Sequence, residues 1–232
     1  METEDKRIHR VYAEYAVTGA RHRWDPRNPG NQAIKRERER DHLLETVLRE
    51  RCGLGATFRV LDLGCGAGNN LGLLCQWGAV SENLFGVDLI KDRINEGRKL
   101  WPQLNLQQGD GTHLEFEDSS FDLVMVFSLF SSVLDPDITL RIASEMRRVL
   151  KMGGKIIWYD LRFNNPYNRN VIGYGPADIA LLFRAFNVEL TSITVLPPLV
   201  RRLGRLAPAF YPLLSRVSFL HSHYLGVLTR YA

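Results

Sequence analysis

The stretch Val60-Leu61-Asp62-Leu63-Gly64-Cys65-Gly66-Ala67-Gly68-Asn69-Asn70 decides how the rest of the chain is read. A run of strand-forming apolar residues breaks into three glycines at alternate positions and then becomes a helix. Glycine has no Cβ, so it accepts positive φ and lets a ligand come within contact distance of the backbone. Three glycines within five residues therefore predict a tight turn pressed against something. The turn presents free backbone N–H groups at a helix start, which would suit a dinucleotide pyrophosphate. The spacing, however, is G-x-G-x-G rather than G-x-G-x-x-G, and Asp62 stands two residues before the first glycine. An acid there suits a cationic ligand better than an anionic one.

The surroundings of that stretch are those of one large α/β domain: 232 residues with 45% hydrophobic content. The formal charge of +4 and a pI near 9.0 would help anionic partners approach without identifying one, and do not mark a nucleic-acid protein. Cys52, Cys65 and Cys75 form no C-x-x-C pair and keep no zinc spacing with histidines, which argues against disulfide and metal frameworks. The start, Met1-Glu2-Thr3-Glu4-Asp5-Lys6, lacks the features of a secretory signal, and no stretch approaches the roughly 18 apolar residues of a membrane span. A cytoplasmic, reduced protein is expected.

Residues 1 to 30 mix charge with Tyr12, Tyr15 and Trp24 and close on Asn28-Pro29-Gly30-Asn31. They read either as a frayed arm or as a flap whose aromatics cover a pocket, and not as a core helix. Lys35-Arg36-Glu37-Arg38-Glu39-Arg40-Asp41 then leads into Leu43, Leu44, Val47 and Leu48, the pattern of an amphipathic helix. From residue 58 the pattern becomes regular. Strands are expected at 58–63, 83–88, 105–108, 121–127 and 155–160, with helices at 69–77, 91–100 and 138–150. Asp137 is the expected cap of the last helix, and Lys151-Met152-Gly153-Gly154 its stop. Strands alternating with helices imply a parallel sheet joined by right-handed crossovers, with ligands beyond the carboxyl ends of the strands.

The informative residues stand at those ends. Asp88 ends strand two, where an acid can accept from both hydroxyls of a ribose, whichever nucleoside cofactor carries it. Gly109-Asp110-Gly111-Thr112 follows strand three, and Phe127 and Ser128 follow strand four. With D-x-G-x-G-x-G and Arg148-Val149-Leu150-Lys151-Met152-Gly153-Gly154, the constellation resembles the class I S-adenosylmethionine-dependent methyltransferases, in particular their small-molecule branch, over residues 58 to 160. The resemblance implies a Rossmann-like three-layer α/β sandwich. Its seven-stranded, mostly parallel sheet would end in an antiparallel hairpin formed by 188–195 and 224–229. It also implies S-adenosyl-L-methionine as cofactor, held by Asp62, Gly64, Cys65, Gly66, Gly68, Asn69, Asp88, Leu89, Asp110, Gly111, Thr112, Phe127 and Ser128. In the family, the acid at Asp110 accepts from the adenine amino group. One domain over 1–232 is expected, with residues 1–57 as a lid, 58–160 as the cofactor-binding core and 161–232 on the acceptor side.

Between the last two expected strands lies a long connection, 196–223, in which Arg201, Arg202, Arg205 and Arg216 stand among leucines and aromatics. Such a length is expected to be helical and functional. It fits a cap over the acceptor pocket, a protein-protein surface, or a basic amphipathic element touching an anionic membrane or a lipid-linked substrate. Strand four ends in Phe127-Ser128-Leu129-Phe130 rather than N-P-P-Y, which argues against nucleobase methylation, and nucleic acid is not an expected partner. Residues that could bind or deprotonate an acceptor are Asp160, Arg162, Asn164, Asn165, Tyr167, His223 and Tyr224. Asp160 and His223 are the catalytic candidates, with surface positions flanking a strand as the plainer reading of His221 and His223. His113 is expected to face solvent. The expected reaction is methyl transfer to a hydroxyl or carboxylate of a small-molecule, saccharide or carrier-linked metabolite. A non-catalytic cofactor-binding partner docking through 196–223 and a nicotinamide-dependent oxidoreductase are the alternatives, the latter disfavoured by Asp62 and the glycine spacing.

Overall fold

A computed structural model describes residues 2–17, 27–36 and 57–231. Elements are numbered in order among those residues. The strands are β1 (Val60–Leu63), β2 (Leu84–Asp88), β3 (Asn105–Gln108), β4 (Phe121–Phe127), β5 (Leu150–Leu161), β6 (Phe186–Val195) and β7 (His221–Arg230). They form one seven-stranded sheet in the order β3-β2-β1-β4-β5-β7-β6. The strands β1 to β5 pair in parallel, while β7 runs antiparallel to both β5 and β6. This is the expected three-layer α/β architecture, with α3 (Asn69–Gln76), α4 (Lys91–Leu100), α5 (Pro136–Val149) and α6 (Pro176–Leu182) as flanking helices.

Strand residues point alternately to opposite faces, and the core divides accordingly. Leu61, Leu63, Val124, Val126, Ile156, Trp158 and Leu228 belong to one buried cluster, with Phe130, Tyr174 and Phe183. Val60, Leu123, Met125, Ile157, Tyr159, Leu225 and Val227 belong to the other, with Leu71, Leu74 and Ile94. A third, smaller cluster lies at the end of β6, where α2 (Pro29–Arg36), α7 (Pro197–Arg202) and α8 (Ala207–Leu214) bury Ala33, Val200, Ala207 and Tyr211 with Val195.

Several local expectations are corrected. The N-terminal segment is a helix, α1 (Glu4–Val17), not an irregular arm. Its Ile8, Val11, Tyr12 and Tyr15 fall at i, i+3, i+4 and i+7, the spacing of one helical face. Asn28 opens α2 rather than closing a loop, because its Oδ1 accepts from the backbone N–H groups of Gly30 (2.8 Å) and Asn31 (3.3 Å), with Pro29 at the first helical position. Asp135, not Asp137, caps α5, accepting from Asp137 N at 2.9 Å and Ile138 N at 3.3 Å. The run Lys151-Met152-Gly153-Gly154 is no helix stop. It is the irregular start of β5, where Gly153 takes φ +72° and the register against β4 shifts between Phe121 and Leu123. The expected helix beyond Arg36 and the aromatic Trp24 lie outside the described residues.

Candidate functional site

The β1–α3 turn takes the conformation its glycines permit: φ is +75° at Gly64, +58° at Gly66 and +75° at Gly68. Gly64 N and Cys65 N both donate to Val87 O, at 2.8 and 3.1 Å, which fastens the turn to the end of β2. Asp88 completes the join. Its Oδ2 accepts from Gly66 N at 2.7 Å and its Oδ1 from Ile90 N at 2.9 Å. A carboxylate offers about four acceptor positions, so two remain for a ligand. The Arg93 guanidinium stands 3.7 Å from Asp88 Oδ2, beside Gly66, and lies over the Tyr12 ring at 5.2 Å. Asp62 is fully buried under the turn, with Asn70 Nδ2 3.4 Å from its Oδ2. Burial, reinforced by the carboxylates of Asp62 and Asp88, pushes the Cys65 thiol far up, so it stays protonated and unreactive.

A cavity of about 260 Å³ opens at the carboxyl ends of the strands. Of the thirteen residues expected around the cofactor, Gly64, Asp88, Leu89, Asp110, Gly111, Thr112, Phe127 and Ser128 line it. Asp62, Cys65, Gly66, Gly68 and Asn69 shape the turn behind its wall. Asp110 is folded onto its own turn, accepting from Thr112 N and Thr112 Oγ1, both at 2.8 Å. Ser128, a non-glycine residue at φ +56°, is held by its N–H bond to Tyr159 O at 2.8 Å. Such conformations persist where surrounding structure enforces them.

The remaining wall comes from a quarter to which sequence reasoning assigned only aromatic cover. Glu4, Asp5, Ile8 and Tyr12 of α1 line the cavity, as do Arg93, Leu129, Ser132 and Arg141. Arg7 joins Glu4 through two 2.7 Å bonds and donates to Ser132 O at 2.5 Å, while Leu134 N donates to Glu4 Oε1 at 2.7 Å. Tyr15 reaches Asn168, whose Nδ2 is 3.1 Å from the phenol. These bonds hold α1 against the cavity. Among the described residues the lining thus carries four carboxylates, Glu4, Asp5, Asp88 and Asp110, against two guanidiniums, Arg93 and Arg141. That donor set fits a neutral or cationic nucleoside and opposes a pyrophosphate.

The two catalytic candidates stand apart from the cavity lining. Asp160 is fully buried behind the wall, its Oδ2 accepting from Ser131 N at 3.0 Å and its Oδ1 from Leu161 N at 2.8 Å. Burial pushes its carboxyl up to about 6 against the opposing pull of those bonds. His223 and His221 do not flank a strand on the surface. Both are buried within β7: His223 stacks on Tyr159 with ring centroids 4.6 Å apart and its Nδ1 2.7 Å from Ser222 Oγ, and His221 lies between Ser192 Oγ and Ser215 O. Of the acceptor-side loop, Asn164 and Asn165 bind Gly173 N and Tyr167 N, Tyr167 is exposed, and Arg162 lies over the Tyr224 ring. His113 is exposed, as expected. None of residues 196–220 lines the cavity.

Residues 60–154 match the family model for a methyltransferase domain. Sterol 4-C-methyltransferase strm-1 of Caenorhabditis elegans is 29% identical over 133 residues, which are 55% of this chain and 38% of that protein. The demethylmenaquinone methyltransferase of Lactobacillus johnsonii is 35% identical over 102 residues, 41% of each. The chain thus spans roughly two fifths of the length of these relatives. A solved S-adenosylmethionine-dependent methyltransferase from Archaeoglobus fulgidus shares the fold with a TM-score of 0.59 and 18% identity, over 82% of this chain and 93% of that one. With the glycine turn, the acids at the ends of β2 and β3 and the sheet order all in place, residues 60–154 match a methyltransferase domain and the chain shares the fold of solved S-adenosylmethionine-dependent methyltransferases.

Proposed function

We propose that the protein transfers a methyl group from S-adenosylmethionine to a hydroxyl or carboxylate of a small-molecule, saccharide or carrier-linked metabolite. The observation that carries the donor half is Asp88, fastened to the Gly66 N–H and presented to a cavity in whose lining, among the described residues, acids outnumber bases. The bound cofactor supplies an electrophilic methyl on a sulfonium whose leaving group departs neutral. The chain's own residues do the rest. Asp88 would accept from ribose hydroxyls, Asp110 and the Gly111 N–H would meet the adenine edge, and the glycine turn would let the backbone approach the methionine part. Ile8 and Tyr12 of α1 cover the cavity and exclude water.

For the acceptor half the support is chemical. The wall after β4 presents Ser128, Leu129 and Ser132 rather than the paired acceptors and aromatic that hold a nucleobase amino group. A carboxylate acceptor needs no base, whereas a hydroxyl acceptor would give up its proton to a carboxylate of the lining or to water. Asp160 is assigned a positioning role, since its bond to Ser131 N holds the segment that carries Ser128, Leu129 and Ser132. The relatives are named for acceptors as different as a sterol and demethylmenaquinone, so the shared core does not choose the acceptor.

Calorimetry with S-adenosylmethionine and S-adenosylhomocysteine tests the donor half, and absence of binding would overturn it. Incubation with labelled cofactor and a metabolite extract tests the acceptor half. A base-labile methyl product identifies an ester and a base-stable O-methyl product an ether, whereas label on nitrogen or carbon refutes the hydroxyl-or-carboxylate reading.

A further inference from the structure

The segment joining β6 to β7 carries helices of its own. It comprises α7, a 3₁₀ turn at Gly204–Leu206, α8, and a second turn at Ser218–Leu220. One side is buried, Val200, Ala207 and Tyr211 packing with Ala33 of α2. The joint is close: a Cβ on Gly30 of α2 would stand 2.6 Å from Val200 O. The opposite side is also apolar. Leu206 is 59% exposed, Phe210 46%, Leu213 60% and Phe219 76%. The first three fall at i, i+4 and i+7, one stripe along α8, whose sequence APAFYPLL contains no charged residue. A helix apolar on both sides is not explained by its seat on the fold alone.

Charge supplies the second observation. Exposed Arg202 and Arg205 precede the stripe and exposed Arg216 follows it. From Leu190 to Ala232 the sequence contains five arginines, no lysine and no acid. No salt bridge among the described residues engages Arg202, Arg205 or Arg216. Leucine and phenylalanine facing out between arginines is the composition of an element that lies in the boundary layer of a bilayer, its guanidiniums at the headgroups. A second copy of the chain is a poor occupant, because a two-fold contact would set these arginines against themselves with no carboxylate in the segment to offset them.

From the exposed stripe and its arginine flanks we infer that Leu206, Phe210, Leu213 and Phe219, with Arg202, Arg205 and Arg216, form a docking surface for an anionic lipid bilayer. The surface is separate from the cofactor cavity, none of whose lining comes from this segment. It does not depend on the acceptor assigned above.

The test is flotation of the full chain with vesicles of phosphatidylcholine alone and of phosphatidylcholine containing phosphatidylglycerol. The protein is expected to partition onto the anionic vesicles at least about tenfold more strongly, and salt should weaken this, because each arginine near the surface adds to the attraction. Phe210→Asp combined with Leu213→Asp, and separately Arg202→Gln combined with Arg205→Gln, should each lower the partition by about tenfold or more. Thermal melting and affinity for S-adenosylhomocysteine should stay unchanged. No binding by the wild-type chain, equal binding to both vesicles, or binding indifferent to these variants would overturn the inference. So would a concentration-dependent dimer that Phe210→Asp dissolves. Loss of vesicle binding with cofactor affinity intact leaves the methyl-donor reading standing, and the reverse result leaves the docking surface standing.

Discussion

Asp88 joins two parts of the site, because one carboxylate both closes the glycine turn through Gly66 N and faces the cavity. Asp88→Ala is expected to weaken S-adenosylhomocysteine by at least tenfold in calorimetry, the loss of charge-assisted bonds each on the order of 1.5–3 kcal/mol. Asp110→Ala should show a comparable loss, since it also releases the turn that Asp110 holds through Thr112. Asp160 behaves differently. Its carboxyl is pushed from 3.8 to about 6 by burial, so between those values the folded chain keeps a proton that the unfolded chain has lost. The free energy of unfolding should therefore fall as pH rises through that window, by about 3 kcal/mol at 1.36 kcal/mol per pKa unit, and the deficit persists above it. Asp160→Asn cannot ionise. Urea unfolding of both proteins at pH 4 and pH 7 should show a difference between them that changes by roughly that amount. Asp88 and Asp110 were legible in the sequence because each stands at the carboxyl end of a strand, where chain direction alone brings it to the cavity. Asp160 also follows the pattern, yet it ends behind the wall, because the turn at Phe130–Ser132 folds over it and claims its oxygens.

At the scale of elements, α1 is the part least visible beforehand. Its Glu4 and Arg7 look like ordinary surface charges in sequence, but side-chain exposures of 8% and 13% show them pressed against the β4–α5 connection. Burial raises the Glu4 carboxyl, and the bonds from Arg7 and Leu134 N outweigh it, leaving the group below its usual range. A depressed acid contributes its stabilisation above the unfolded value of 4.5 and loses it as pH falls below that. Arg7→Ala is expected to loosen the seating of α1 and to speed dissociation of S-adenosylhomocysteine several-fold in stopped-flow measurements, with a smaller effect on association. About 1–2 kcal/mol of lost hydrogen bonding underlies that figure. An unchanged dissociation rate would show that α1 does not act as a cover. The helical spacing of Ile8, Val11, Tyr12 and Tyr15 was the available signal for this element. What those residues cover was not available, since that contact is made to residues more than a hundred positions away.

Across the whole molecule, the sheet order places β1 between β2 and β4, so the loops after β1, β2, β3 and β4 converge on one cavity. Trp158 of β5 anchors the packing on one face, fully buried against Phe130, Tyr174 and Phe183. Trp158→Ala should cost about 3–5 kcal/mol in urea unfolding. Trp158→Phe should cost much less, because the indole N–H has no hydrogen-bond partner among the described residues and its removal leaves no acceptor unpaired. No helix among the described residues is long and apolar enough to cross a membrane, so any contact of this chain with lipid through α8 would be made at the surface. The sequence by itself determined the glycine turn, the parallel alternation of strands and helices, and the acids after β2 and β3. Those features depend on φ preferences, on side-chain period and on chain direction, all of which act over a few residues. Only the tertiary structure decided that α1 lines the cavity, that His221, His223 and Asp160 are buried away from it, and that the segment at α8 turns Leu206, Phe210 and Leu213 outward. Those outcomes depend on which surfaces meet when distant segments pack, and local sequence carries no term for that.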